Sequence, residues 1–337
     1  MEQETLDQIG QELERILSDA ALEAIDQAEG RGSEAEALWA MLCDNGYSLL
    51  AASEEHGGFG GSLADAASLA QLCAGHALAL PLADTMLVAG VLSRAGITPS
   101  RGASALADPI AADTPIAHAM QAEEVLLLGG GRLKLSKLDP RALAPQNRSE
   151  DGAAILTEPL IDEIGSTPAP NWLTPLTLRA LGALIRSAQM AGAMQGALDL
   201  TLEYTQGREQ FGRPLAKFQA VQHHLSDIAC ETAASIAAVE LASDALRADP
   251  ECSDATIEEI AIAKIRCGEA ASKVAAAAHQ AHGAMGFTRE YALGRFTRRL
   301  WQWQDEFGSE SEWSAWLGHR VLSDAEPALW PRISRAI

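Results

Sequence analysis

The sequence predicts a mainly α protein with a small β domain in its middle, and three observations lead to this fold class. Apolar residues recur at helical spacing through residues 1–97 and again through 173–337. Between them, residues 98–172 are rich in Pro, Gly, Asp and Ser and contain only short apolar runs. Ala-rich runs such as 275–278 recur, which favours closely packed helices. We therefore expect an N-terminal helical domain, a small β domain and a C-terminal helical bundle with these boundaries.

The N-terminal region is expected to consist of amphipathic helices around a glycine-rich loop at 56–61. Ser62, followed three residues later by Asp65, is the pattern that begins a helix with a capping box. The apolar positions of the first predicted helix are Leu6, Ile9, Leu13, Ile16 and Leu17.

The middle region contains one clear strand pattern. An apolar run at 125–128 is followed by three glycines at 129–131. Leu133 and Leu135 then alternate with Lys134. This order of residues predicts a β-hairpin with a glycine turn.

The C-terminal region is expected to form long helices near 176–206, 214–248 and 255–284, and a shorter one near 293–304. Glycine and proline are almost confined to the joints between these segments. Helices of this length that pack side by side form a four-helix bundle. Four tryptophans near the end are interpreted as core or interface residues: Trp301, Trp303, Trp313 and Trp316.

Charge and motif content exclude several classes of function. With 25 basic and 46 acidic residues the net charge is −21, which disfavours nucleic acid and anionic membrane surfaces as partners. The sequence contains none of the HExxH, CxxC, GxGxxG, P-loop or GxSxG motifs, so no metal site or Rossmann site is predicted. Five scattered cysteines and the lack of an apolar run of about 18 residues predict a reduced, cytoplasmic protein without a membrane span.

The joint between the first two long helices carries residues suited to a phosphorylated ligand. Gly207 ends a helix, Arg208 follows at once, and residues 211–214 form a tight turn. A guanidinium at such a corner can bind a phosphate in bidentate fashion, and Phe211 offers a flat face to a ring. An ordinary helix–turn–helix joint with a solvated arginine would have the same pattern.

Three segments together resemble the acyl-CoA dehydrogenase family. Residues 204–219, YTQGREQFGRPLAKFQ, are similar to the family's Y…R-x-x-F-G segment with its later Gln. Residues 280–287, QAHGAMGF, resemble the Q-x-x-G-G-x-G-[FY] turn, and residues 54–61, EEHGGFGG, resemble the E-E-x-G-G-x-G loop. The resemblance implies the family's architecture: a helical domain, a middle β domain and a C-terminal four-helix bundle.

The resemblance also implies a cofactor and a reaction. In this family the first two segments hold the ADP half of an FAD that is bound mainly by a neighbouring subunit. The implied reaction is α,β-dehydrogenation of an acyl-CoA, in which a carboxylate removes the α-proton and the β-hydrogen leaves as a hydride. Electron-transfer flavoprotein is the implied electron acceptor. The implied FAD-binding residues are Arg208, Gln210, Phe211, Gln219, Gln280 and Gly283.

The sequence departs from the family where the catalytic base is expected. The position that usually carries the base is Phe307, and Glu306 lies one residue away, which on a helix turns a side chain by about 100°. Some family members carry the base on the first bundle helix, where this chain has Gly182 followed by Ala183. Glu306 is therefore the one candidate base.

The β domain departs from the family pattern as well. It is short, and its Thr157-Glu158-Pro159 lacks the Gly-Ser-Asp of the stretch that normally holds the flavin ring. A chain that lacks the base and the flavin-ring site but keeps the ADP clamp resembles the short subunits of bacterial α2β2 enzymes. In those enzymes the short subunit pairs with a longer catalytic subunit, and the substrates are acyl-CoAs of steroid side chains and similar bulky acids. Two alternatives stay open: a self-sufficient homotetramer that uses Glu306 as base, and a non-catalytic helical scaffold.

Overall fold

The computed structural model describes residues 3–20, 33–111, 114–145, 152–157, 163–288 and 291–323. In the N-terminal part, these described residues form four α-helices: α1 (Gln3–Asp19), α2 (Ser33–Asp44), α3 (Leu63–Gly75) and α4 (Leu82–Arg94). On α1, Leu6, Leu13 and Leu17 are buried and Ile9 and Ile16 pack against the same core. The helical spacing read from the sequence is confirmed.

The predicted capping box is present at the start of α3. The Ser62 hydroxyl accepts a hydrogen bond from the Asp65 N–H at 3.1 Å, and the Ser62 N–H donates to the Asp65 carboxylate at 2.8 Å. The helix then crosses the first bundle helix very closely, since a Cβ atom at Gly192 would overlap the carbonyl oxygen of Gln71. Only glycine permits this approach.

The middle of the chain forms a small four-stranded sheet with strand order β1-β2-β3-β6. Its first strand is parallel to the second, and the other pairs are antiparallel. The predicted hairpin is confirmed as β2 and β3, whose turn is Gly130-Gly131 with φ of +58° and +70°; such angles belong to the tight hairpin turns that glycine favours. The strand bounds are β1 Ser104–Leu106, β2 Glu124–Gly129, β3 Arg132–Lys137, β4 Leu143–Pro145, β5 Ala154–Leu156 and β6 Glu163–Pro168.

The C-terminal part is a bundle of long helices. Its bounds are α5 Pro175–Gly207, α6 Gln219–Ala248, α7 Asp254–His282, α8 Leu293–Asp305 and α9 Glu310–Ser323. The four expected helices are confirmed, although α6 begins at Gln219 rather than near 214. A two-stranded hairpin, β7 (Glu209–Gln210) and β8 (Arg213–Pro214), occupies the intervening residues. The sequence analysis did not predict α9, whose buried anchor is Trp313.

The tryptophans are only partly core residues. Trp303 and Trp313 are buried, whereas 46% of Trp301 is exposed. Within the part of the chain that the structure describes, none of the helices is both long enough and apolar enough to span a membrane.

Candidate active site and cofactor clamp

A cavity of about 570 Å³ lies between the β region and helix α8. Residues near the end of β1 and around it form one wall, among them Leu106, Pro115 and Ala153. The other wall is formed by α8 and the turn after it, among them Trp301, Glu306 and Phe307. The structure therefore places the predicted base Glu306 at a cavity that can accept a ligand.

The Glu306 carboxylate is held by a buried arginine. Arg186 on α5 is fully buried; it forms a short ion pair with Glu306 and donates two hydrogen bonds to Asp84 at 2.7 and 3.0 Å. Gln302 donates to the second carboxylate oxygen of Glu306 at 2.7 Å. Burial alone would lower the pKa of Arg186, but the two carboxylates raise it, so the guanidinium stays charged. Glu306 is thus the counter-ion of Arg186.

The two positions at which the sequence predicted the family's base, Phe307 and Gly182, meet in space. The Phe307 ring covers Gly182, where an added Cβ atom would lie only 2.5 Å from the ring. Phe307 has a left-handed backbone (φ +54°), and its carbonyl accepts a hydrogen bond from the Trp313 indole at 2.9 Å. The two predicted base positions are therefore in contact with each other, and neither carries a carboxylate.

The end of α8 is anchored to α7 beside this turn. The fully buried Lys264 donates hydrogen bonds to the carbonyl oxygens of Trp303 at 3.0 Å and of Gln304 at 2.6 Å. Burial lowers the pKa of Lys264 to about 8. The charged amine compensates the unpaired carbonyls and the negative end of the helix dipole, which fixes the position of the turn that carries Glu306 and Phe307.

The Thr157-Glu158-Pro159 stretch, which the sequence showed without the Gly-Ser-Asp of the family pattern, lies only partly within the described residues. Thr157 follows β5 and is exposed, and Glu158 and Pro159 lie outside the described residues. On the side of the β region, residues that follow β1 line the cavity, among them Asp108 and Thr114. Asp108 is held by an ion pair with Arg179 at 3.1 Å. In the sequence, the signal for this wall of the cavity was the Asp108-Pro109 pair, which directly follows a short apolar run.

The predicted cofactor clamp projects from the bundle. Phe211 and Gly212 form the two-residue turn of the β7–β8 hairpin with φ of +53° and +77°, and 92% of Phe211 is exposed. The segment 208–217 carries three basic residues and one acidic residue in a chain of net charge −21. The N-terminus of α6, which follows, has no side-chain cap. Free backbone N–H groups and positive charge at a helix start favour a phosphate.

The two clamp segments lie at the same end of the bundle. The Tyr204 ring stacks on the His282 ring at a centroid distance of 4.4 Å, and the Tyr204 hydroxyl donates to the His282 carbonyl oxygen at 3.4 Å. The end of α5, which leads into the hairpin, is thereby tied to the end of α7. Each of the six predicted clamp residues is exposed: Arg208, Gln210, Phe211, Gln219, Gln280 and Gly283.

Comparisons with known proteins identify the family. The family described as acyl-CoA dehydrogenase, C-terminal domain, matches residues 180–301. Acyl-CoA dehydrogenase IpdE2 of Mycobacterium tuberculosis is 30% identical over 288 residues, which cover 81% of this chain and 82% of the relative. This chain belongs to the acyl-CoA dehydrogenase family. IpdE2 of Mycolicibacterium smegmatis is 29% identical over 78% of this chain and 80% of its own length.

Solved structures of acyl-CoA dehydrogenases share the fold of this chain, mostly helical with a small sheet region. A variant of the Tcur3481-Tcur3483 steroid ACAD superposes with a TM-score of 0.79 at 23% identity and covers 95% of this chain and 98% of that chain. The ChsE4-ChsE5 complex of Mycobacterium tuberculosis has a TM-score of 0.78 at 19% identity, with coverage of 97% and 99%. As a member of the acyl-CoA dehydrogenase family, the protein is an oxidoreductase of a family whose cofactor is FAD.

Proposed function

We propose that this acyl-CoA dehydrogenase chain is the subunit without a base in a heteromeric, α2β2 enzyme. In this role it supplies the ADP-side FAD clamp to the active site of a longer partner subunit. The observation that carries the proposal is the contrast between the two sites. The predicted clamp residues are exposed, whereas the two predicted base positions hold Phe307 packed on Gly182.

The proposed reaction is α,β-dehydrogenation of a bulky, steroid-like acyl-CoA. FAD, when bound, supplies the hydride acceptor, and the partner's carboxylate takes the α-proton. In this chain, Arg208 and the free start of α6 suit the pyrophosphate, and Phe211 suits a ring or an apolar contact. The likeness to IpdE2 and to two heteromeric complexes, one of them a steroid ACAD, supports the assembly and the substrate class. Electron-transfer flavoprotein is the proposed electron acceptor.

Purification separates this proposal from its alternatives. The chain is expressed alone and together with a longer family member that carries an intact base. We expect FAD-containing, active protein only from the co-expression. An isolated chain that is yellow and oxidises acyl-CoA would establish the self-sufficient homotetramer instead. A complex without FAD, assembled in the presence of added FAD, would support the scaffold.

Replacing Arg208 with alanine is expected to weaken FAD retention by the complex roughly 10- to 100-fold, because a charge-assisted hydrogen bond contributes about 1.5–3 kcal/mol. The measurement is the FAD released on dilution, followed by flavin fluorescence. Arg141→Ala is the control, since that side chain is 94% exposed in the β region. Equal FAD retention in both variants contradicts the clamp.

Replacing Glu306 with glutamine is expected to change the turnover of the complex by no more than about threefold. Loss of a true general base costs roughly 10²- to 10⁴-fold, but Glu306 is bound to Arg186 and faces a cavity whose base positions are apolar. Steady-state kinetics across pH measure the effect, and Asp305→Asn tests the neighbouring carboxylate of the cavity in the same way. A hundredfold loss in either variant supports the self-sufficient enzyme.

A further inference from the structure

The turn after α8 holds one aromatic ring against the wall of the cavity at considerable conformational cost. Phe307 has a φ of +54°, a left-handed conformation that is unfavourable for a bulky residue and that persists where the surrounding structure enforces it. The next residue, Gly308, has a φ of +98°. A strained aromatic residue at the inner wall of a cavity calls for a functional explanation.

Several contacts enforce this conformation. The Trp313 indole N–H donates to the Phe307 carbonyl oxygen at 2.9 Å. The Arg186 guanidinium lies 5.3 Å from the centroid of the Phe307 ring and also binds the preceding residue, Glu306. Lys264 holds the last turn of α8 from the other side. The ring is therefore fixed, and 6% of the residue is exposed.

The ring lies where the two predicted base positions meet. Phe307 and Gly182 are the positions at which the resemblance to the family predicts the carboxylate, and the ring lies on Gly182 so closely that an added Cβ atom would be 2.5–2.7 Å from three ring atoms. Neither a carboxylate nor an acyl chain can occupy this volume while the ring is there. A cavity of about 570 Å³ remains, and Phe307 is part of its lining.

We infer that Phe307 is a steric plug whose ring occupies, beside Gly182, the space that the acyl chain of a CoA thioester needs in order to bind in the cavity of this chain. The inference rests on the proposed function, because a chain that serves its partner's active site gains from keeping substrate out of a site without a base. Gly182 is the residue on which the Phe307 ring packs. Arg186, Glu306 and Trp313 are positioning residues for it.

The test uses the non-reactive thioether S-octyl-CoA as a probe and measures binding stoichiometry by calorimetry on the assembled complex. The wild-type complex is expected to bind one probe for each pair of unlike chains. Phe307→Ala is expected to add a second site, so that the stoichiometry rises from one to two. Phe307→Leu, which keeps more of the packing, is expected to show the second site with weaker affinity.

Phe296→Ala is the matched control. Phe296 lies on α8, is buried to a similar extent and covers Gly196 of the same helix that carries Gly182, yet it does not line the cavity. It should lose thermal stability as Phe307→Ala does and keep a stoichiometry of one. The inference is overturned if the wild-type complex already binds two probes, or if folded Phe307→Ala and Phe307→Leu complexes both bind only one.

Failure of the proposed function is recognised separately. If no partner forms a complex with the chain, the proposed function fails, and the plug is tested on the chain alone with the same probe. Wild type should then bind no S-octyl-CoA and Phe307→Ala should bind one per chain. Binding by the wild-type chain, or none by a folded Phe307→Ala chain, contradicts the plug.

Discussion

Replacing Arg186 with methionine is expected to lower the free energy of unfolding by about 3–5 kcal/mol, because the substitution leaves buried carboxylates without their cation. The side chains of Arg186 and Asp84 are 0% and 1% exposed, so water cannot replace the lost partner. Methionine matches the length of the aliphatic part of arginine, which limits the effect of a cavity. Urea unfolding of the purified chain measures the difference.

Two further variants separate the charge effect from a general loss of packing. Arg247→Met removes an arginine whose side chain is 34% exposed and pairs with Asp65 and Asp244; its expected cost is at most about 1 kcal/mol. Asp84→Leu combined with Arg186→Met removes both fully buried charges and should recover much of the stability. If Arg186→Met costs no more than Arg247→Met, the buried network does not stabilise the fold.

The helices were predictable because their signals are local. Helical spacing in α1, the capping box at Ser62 and the glycine turn of the β2–β3 hairpin each depend on a few neighbouring residues. At the start of α6, two local signals compete. Pro214 suits the first turn of a helix, but here it lies in a strand that pairs with Glu209, and the pairing within this hairpin decided between the two.

The residues of the candidate site also differ in whether a local sequence pattern could predict them. The clamp residues of the hairpin are contiguous in sequence, so a local motif was enough to propose them. The network around Arg186 was missed because its partners Asp84 and Glu306 lie 102 and 120 positions away. A buried arginine on an Ala-rich helix was the available signal, since an arginine that is not exposed needs a carboxylate partner.

The contact between Gly182 and Phe307 was likewise not predictable from the sequence. Taken singly, Gly182 and Phe307 each indicate only that a predicted base is missing. Because they are far apart in the sequence, the sequence does not show that they are in contact. The glycine leaves room for the ring. One packing contact therefore occupies both of the positions at which a base was predicted.

Replacing Phe211 with asparagine is expected to have opposite effects on the isolated chain and on the complex. The turn formed by Phe211 and Gly212 requires positive φ at both residues, which asparagine adopts far more easily than phenylalanine. Since the left-handed conformation costs roughly 1–2 kcal/mol, the isolated chain should gain about 1 kcal/mol of unfolding free energy. The complex should lose FAD or partner affinity by roughly 10- to 100-fold, because burial of a phenylalanine contributes about 1.5–3 kcal/mol.

Leu322→Asn distinguishes this effect from the removal of any exposed apolar residue. Leu322 is 84% exposed on α9, so its replacement should leave FAD content and complex size unchanged. Urea unfolding of the isolated chain and FAD content of the gel-filtered complex give the two measurements. The Phe211→Asn chain could be more stable and still assemble and retain FAD like wild type. That result would show that the strained conformation of Phe211 does not contribute to binding FAD or a partner. If assembly fails while the unfolding free energy of the isolated chain rises, the strained Phe211 ring is needed for a contact with another molecule.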